Sequence, residues 1–484
     1  MRSTRGFVTI YVLFTSLVLI PVVGLAIDFS VLYNVKARLQ TAVDAGVIAA
    51  GNTLQTTTDI TNTSQINAVK ATAVTFFNAN YPSHYWGSTP ATALNPTVGL
   101  GASNSWQVTL TATEYVPLLF LRVLGLSQST VAATAQASVR FLNMMIVVDR
   151  SGSVQRGGNA ATITNALTQF IGTQGTSPFV DGRDTIGLGS FGTNWRTDLA
   201  PTTHFFTGSA IQNAINAIPY GNNATNTAEG LHQAYTLLQG LNQTGALNVI
   251  VLLTDGRPSA FTASLNAQGT CTNKGNKTAV VTALVGTDAT WPPPQTDGGA
   301  QGPSSAIWTL GLLNPTYTGL TGGPFTNSDV QYLTPLSTDA GCTYYTTNDP
   351  TRITTDVTTF PATDVYNNSL LSPVYTGEGQ NMSNPRALRY ASFNAADNQA
   401  TTIRTDNTLQ PVLFVIGLNE PAAAGEPLDA DWLARVANDI YYRDAAGHSV
   451  YQSGQTEGKY YNVNGAGLGA AFQDIASQIL RLSQ

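Results

Sequence analysis

A short apolar run, Met144-Met145-Ile146-Val147-Val148, is long enough for one buried strand and stops abruptly at Asp149-Arg150-Ser151-Gly152-Ser153. Strand ends of this kind, in open α/β sheets, are where such folds bind ligands. Three oxygen side chains fall at alternate positions: Asp149, Ser151 and Ser153. Hard oxygen donors in that spacing suit a small divalent cation, with Mg²⁺ preferred and Mn²⁺ or Ca²⁺ left open.

The chain beyond this point alternates strand-like and helical stretches, which predicts a parallel, doubly wound α/β sheet. Apolar strands are expected at Met144–Val148, Thr185–Phe191, Val249–Leu253 and Val412–Leu418, with a last one at Tyr460–Val463. Helices are expected near Asn159–Ile171, Ile211–Ile218, Thr227–Leu241, Pro385–Arg404, Ala430–Asn438 and Gly465–Leu482. Thr227 is expected to N-cap its helix. The strand through Leu253 ends in Thr254-Asp255-Gly256, and Thr225 stands in the loop entering the Thr227 helix.

These three loops together resemble the metal-ion-dependent adhesion site of von Willebrand factor A domains. The resemblance covers about 142–484, less an insertion, and implies a Rossmann-like fold. It assigns the hydroxyls of Ser151, Ser153 and Thr225 and the carboxylates of Asp149 and Asp255 to one metal. It also implies a coordination position left open for a carboxylate offered by a protein partner. The alternative is that Asp149, Thr225 and Asp255 only cap helices and loops. Arg150 and Arg257 flank the site and read as solvated surface charges, with anion contacts as the other reading.

About 155 residues separate Asp255 from Val412, so an insertion of about 257–383 is expected. Loops this long are functional or disordered as a rule. It holds Trp291-Pro292-Pro293-Pro294, the aromatics Trp308, Tyr317, Tyr344 and Tyr345, and both cysteines, Cys271 and Cys342. One disulfide between them, or two free thiols, are the two readings. The insertion leaves the sheet beside the metal loops and is expected either to shape the binding face or to be a decoration without a ligand.

The N-terminus carries Arg2 and Arg5, then an apolar run from Phe7 to Ile27 that ends at Asp28. At about 1.5 Å per residue this run spans the roughly 30 Å hydrocarbon core of a bilayer. The arginines predict a cytoplasmic N-terminus. A cleaved signal peptide at Gly24-Leu25-Ala26 is the competing reading. Helical periodicity continuing through Phe29, Leu32, Leu39, Val43 and Val47 favours a retained anchor, with Pro21 kinking the helix rather than ending it.

Arg5-Gly6, the apolar run, Gly24-Leu25-Ala26-Ile27-Asp28 and Ala37-Arg38-Leu39-Gln40-Thr41-Ala42-Val43-Asp44-Ala45-Gly46 resemble the head of TadE/TadG-type proteins of tight-adherence (Flp) pilus systems. Tyr11 stands where processed pilin-type signals carry Glu, so the resemblance does not extend to prepilin-type cleavage after Gly6. It implies a bacterial, single-pass inner-membrane protein with its bulk in the periplasm or at the cell surface, and pilus or secretion-system components as partners.

Three segments follow: 1–52 as the transmembrane and amphipathic helix, 53–141 as a pilin-like α+β region, and 142–484 as the A-type domain. Within 53–141, Ser64 is expected to N-cap a helix with Ile66, Val69, Ala73 and Phe76-Phe77 inward. A strand at Trp106–Thr111, a short helix at Val116–Leu124 and a strand at Thr130–Phe141 complete it.

The net charge of −6 and the lack of a basic patch exclude a nucleic-acid partner. Charged residues make up only 10% of the chain, so neutral polar residues must cover its surface. His84, His204, His232 and His448 show no metal-ligand spacing, and no Walker loop or nucleophile elbow is present. Gly99-Leu100-Gly101 lacks the third glycine of a dinucleotide loop. The expectation is a binding protein and not an enzyme. A pilus-assembly scaffold without metal-dependent binding is the second reading, and a hydrolase site within the insertion the third.

Overall fold

The computed structural model of the chain describes residues 5–101, 105–221, 224–243, 245–255, 257–267, 275–285, 308–313, 359–377, 379–381, 385–419 and 428–482. The chain divides into two compact units, the first ending at Arg140 and the second beginning at Phe141.

In the first unit, helix α1 runs Arg5–Gln55 without a break at Pro21. At about 1.5 Å per residue it is roughly 76 Å long. Its two halves have different surroundings. From Tyr11 to Val23 the large apolar side chains are exposed, whereas Val31, Val35, Leu39, Val43, Val47 and Leu54 form a buried stripe at helical spacing. Phe29, expected in that stripe, lies outside it and is exposed.

Helix α2, Thr63–Asn80, buries Val69, Ala73 and Phe77. Its N-cap is Asn62, whose side chain accepts from the N–H groups of Ser64 and Gln65, so Ser64 sits inside the first turn. Strands β1 (Thr89–Pro90), β2 (Thr97–Leu100), β3 (Trp106–Pro117) and β4 (Gln128–Val139) form an antiparallel sheet with β3 at its centre. Strand β3 runs through Val116, where a helix is expected; only a single 3₁₀ turn follows, Leu121–Leu124. Every residue of β3 pairs with β4, and that ladder holds Val116 extended.

In the second unit the elements are β5 (Leu142–Asp149), α3 (Gly152–Arg156), α4 (Ala160–Ile171), β6 (Thr185–Phe191), β7 (Trp195–Thr202), α5 (Ala210–Asn216), α6 (Thr227–Leu241) and β8 (Leu247–Thr254). Then come β9 (Ala260–Ala267), β10 (Gly275–Val285), β11 (Trp308–Leu313), α7 (Pro385–Arg404), β12 (Val412–Leu418), α8 (Ala430–Ala437), β13 (Lys459–Val463) and α9 (Leu468–Leu482).

The main sheet has the order β13-β12-β8-β5-β6-β7. All neighbours are parallel except β6 and β7, which pair antiparallel. The expected doubly wound sheet is therefore present, closed on one side by an antiparallel edge strand. That strand carries Asp198 and Pro201, residues that a sheet tolerates at its edge.

Strands β5, β6 and β8 are buried at every position because helices cover both faces. Met145, Val147, Ile250 and Leu252 face α6, α7 and α8 through Leu231, Leu388 and Trp432. Met144, Ile146, Val148, Val249, Val251 and Leu253 face α4, α5 and α9 through Phe170, Ile211 and Phe472.

The insertion starts with an antiparallel sheet of order β11-β10-β9. Phe261, Leu265 and Val281 of this sheet, with Phe360 and Leu370 of the returning segment, join the core on the α6–α8 side. The inserted chain is thus built into the domain at both ends. Cys271, Cys342, Tyr317, Tyr344, Tyr345 and Trp291-Pro292-Pro293-Pro294 lie outside the described residues.

Candidate functional site

Strand order reverses between β5 and β8: the chain goes from β5 to β6 and β7 on one side, then returns to β8, β12 and β13 on the other. This is the topological switch point, where open α/β sheets bind ligands. Asp149 ends β5, and Asp255 follows the last residue of β8.

The register places Val148 beside Leu253, so that one residue further Asp149 and Thr254 stand together. Thr254 Oγ1 donates to Asp149 Oδ2 at 2.6 Å, and the backbone N–H of Ser151 donates to Asp149 Oδ1 at 2.8 Å. Asp149 is fully buried, and burial is the largest influence on it, raising its pKa against the lowering effect of these hydrogen bonds. Its carboxylate fixes the turn that follows, and the chain enters α3 with Ser151 as the cap residue.

The turn then presents its hydroxyls in a row. Ser151 Oγ lies 2.9 Å from Ser153 Oγ, and Ser153 Oγ donates to Asp255 Oδ1 at 2.8 Å. Three oxygens from two separate loops therefore form a row, with Ser153 in the middle. Mg²⁺ takes oxygens at 2.0–2.1 Å in an octahedron, whose edge is about 2.9 Å. The observed 2.8 and 2.9 Å are ordinary O–H···O hydrogen-bond lengths that also fall near that edge, so the donor set can accommodate such an ion. Among the described residues no three His, Cys, Asp or Glu side chains gather as a metal centre. A cation here would rely on hydroxyls as well as carboxylates.

Thr225 belongs to a third loop, fixed through its backbone. Its N–H donates to Ser259 Oγ at 2.9 Å, and its carbonyl accepts from the N–H of Ser259 at 2.9 Å. Next to it, the Asn226 N–H donates to Gly192 O at 2.8 Å, and Ala224 N–H to Thr193 Oγ1 at 3.2 Å. The loop is thereby clamped between the β6–β7 turn and the start of β9. Ser151, Ser153 and Asp255 are joined side chain to side chain, and Asp149 is tied to them through the Ser151 N–H. The Thr225 hydroxyl makes none to the other four among the described residues.

Three local expectations change. Asn226, not Thr227, caps α6, its side chain accepting from the Glu229 N–H. Arg150 and Arg257 are not solvated charges: they are only 1% and 4% exposed. Arg150 donates to Asn194 Oδ1 at 3.0 Å beneath the β6–β7 turn, and burial lowers the pKa of Arg257.

Sequence reasoning passed over Thr254, Ser259 and Asn194. Thr254 carried a usable signal, a hydroxyl residue directly before Asp255 in an otherwise apolar strand. Ser259 and Asn194 act on partners 34 and 44 positions away, which no local pattern reveals.

A second polar cluster anchors the returning insertion. Tyr366 hydrogen-bonds Glu229 and stacks on His232 with centroids 3.9 Å apart. Asp364 accepts from the N–H groups of Tyr366 and Asn368, each at 2.8 Å, and burial pushes its pKa up to about 6.

Residues 144–257 match the family model of the von Willebrand factor type A domain, and residues 6–53 match that of the putative Flp pilus-assembly TadE/G-like proteins. The expected A-type domain and TadE/TadG-like head are thus matched over these residues.

Among solved structures, the chain is similar to the vWF domain of the type V pili tip protein Mfa5 from Porphyromonas gingivalis. Identity is 15%, over 72% of this chain and 98% of that one, with a TM-score of 0.36. The PilB minor pilin from Streptococcus sanguinis is 15% identical over 84% of this chain and 80% of that one, with a TM-score of 0.32. The pilus adhesin SpaC from Lactobacillus rhamnosus GG is 13% identical over 80% of this chain and 34% of that one, with a TM-score of 0.33. No curated protein matches.

Proposed function

We propose, for a chain that carries a TadE/G-like segment at its N-terminus and a von Willebrand factor type A domain after it, a role as a membrane-anchored pilus-assembly or adhesion protein that grips a protein partner through a divalent cation. The observation that carries this reading is the row of oxygens from Ser151 through Ser153 to Asp255 at the sheet's switch point. Ser151, Ser153 and Asp255 would hold the ion, with Asp149 and Thr225 completing the set. Bound there, the ion would supply an electrophilic position for a carboxylate of the partner, Mg²⁺ being preferred over Mn²⁺ or Ca²⁺.

The protein's own residues have distinct tasks. Thr254 orients Asp149, and Asp149 shapes the Ser151 turn. Ser259 sets the Thr225 loop. The buried strands beneath keep water from the underside of the site.

The exposed apolar half of α1 serves as the anchor, long enough to cross a membrane. By the positive-inside rule Arg2 and Arg5 favour a cytoplasmic N-terminus, with the chain beyond the apolar half of α1 in the periplasm or at the cell surface of a bacterium. Pilus components are the partner class this reading favours.

One observation supports a purely structural role. Ser151, Ser153 and Asp255 satisfy one another, so the loops can close without an ion. The two readings part in cells producing Ser153→Ala. Adhesion through the A-type domain predicts that pili still form while chelator-sensitive attachment is lost. Attachment that survives both the substitution and a chelator refutes it and leaves the scaffold.

A further inference from the structure

In the first unit an apolar loop lies against the end of the apolar helix. Between β3 and β4 the chain reads Leu118-Leu119-Phe120-Leu121-Arg122-Val123-Leu124-Gly125-Leu126. Its tip faces outward: Leu119 is 66%, Val123 88% and Leu124 75% exposed. Clustered apolar exposure of this kind marks an interaction surface.

Two contacts fix the loop's height along α1. The buried Asp28 carboxylate accepts from the backbone N–H groups of Leu119, Phe120 and Leu121 at 2.9, 3.0 and 2.7 Å. One turn earlier the Phe120 ring lies directly on Gly24, where a Cβ would stand 2.5 Å from it. Gly24 and Asp28 bracket the last turn of the apolar run. The loop therefore continues the exposed apolar surface of the helix.

The surrounding side chains suit a water–lipid boundary. Arg122 is exposed within the loop. Its stem can lie along acyl chains while its guanidinium reaches a headgroup phosphate. Tyr33, just past Asp28, is an exposed aromatic of the kind that gathers at this level.

We propose that loop 118–126 is a second membrane contact, placing Leu119, Val123 and Leu124 in the edge of the bilayer that α1 spans, with Arg122 on anionic headgroups. This rests on reading α1 as a membrane span. A lone helix can rotate about its axis; a second contact fixes which face of the first unit is turned away from the membrane.

The test uses the full chain in nanodiscs of phosphatidylethanolamine and phosphatidylglycerol, with Cys271 and Cys342 replaced by serine. A nitroxide is attached in turn at Val123→Cys, Leu17→Cys and Tyr441→Cys, and collisions with oxygen and with a water-soluble nickel chelate are measured. The expected result is loss of nickel access at 123 with oxygen access retained, as at 17, while 441 stays open to nickel. Nickel access at 123 with none at 17 overturns the loop contact and leaves the anchor standing. Nickel access at 17 overturns the anchor, and the loop contact with it. Exclusion of both reagents at 123 means that protein covers the loop, and this also overturns the proposal.

Discussion

Thr254→Val isolates the hydrogen bond on which the site's geometry depends. Valine has nearly the shape of threonine, so the change leaves no cavity. It removes the 2.6 Å donation to Asp149 Oδ2 and leaves that fully buried carboxylate with the Ser151 N–H among the donors described above. Hydrogen bonds to charged groups contribute about 1.5–3 kcal/mol. A loss of about 2 kcal/mol corresponds to roughly a thirty-fold rise in local opening. Amide hydrogen exchange of β5 and β8 in the full chain reads this directly, without assuming that the two units unfold together. Protection at Val148, Asp149 and Ser151 should fall by that factor, while β3 and β4 of the first unit stay unchanged. An effect within about 0.5 kcal/mol, the range of an ordinary surface substitution, refutes the argument that Thr254 holds Asp149 in place.

Two further perturbations test other parts of the molecule. Asp28→Ala removes the acceptor for three backbone N–H groups, and a loss on the order of 3 kcal/mol is expected locally, read as faster amide exchange at Leu119, Phe120 and Leu121; unchanged exchange there contradicts the pinning of the loop. Asp364 has its pKa pushed up to about 6 by burial, above its ordinary 3.8, so the fold favours its neutral form. Its contribution is fully present below about pH 3, shrinks as the unfolded chain ionises first, and is gone above about pH 6, a change of at most about 3 kcal/mol. Exchange protection in 359–377 should be higher near pH 4 than near pH 7, and Asp364→Asn should flatten that difference; a rise in protection with pH contradicts the sign.

The parts of the fold legible in the sequence are those where one physical demand dominates. Strands β5, β8 and β12 are buried on both faces, and they carry the apolar runs Met144–Val148, Val249–Leu253 and Val412–Leu418. Helix α7 lies at the expected Pro385–Arg404, where an A-type domain needs one helix between the Asp255 strand and the Val412 strand. Strand β7 was not visible, since an edge strand may carry polar residues and Pro201.

The loop at 118–126 misled for a different reason. Its apolar residues suggested a helix, but they lie exposed beside α1, and the β3–β4 pairing dictates the backbone before it. At the site, Asp149, Ser151, Ser153 and Asp255 could be read from strand ends and short spacing. Buried Arg150 donates to Asn194, 44 positions on, a contact that only the folded chain reveals.

The central claim is that the oxygens of Ser151, Ser153 and Asp255 form a cation site. The direct measurement is calorimetric titration of Mg²⁺ into the metal-free full-length protein, beside a Ser151→Ala/Ser153→Ala double variant whose β5 and β8 amides remain protected. Saturable binding of one ion per chain, abolished in the double variant, is the predicted result. No saturable binding in the parent, or equal binding in both proteins, contradicts the account.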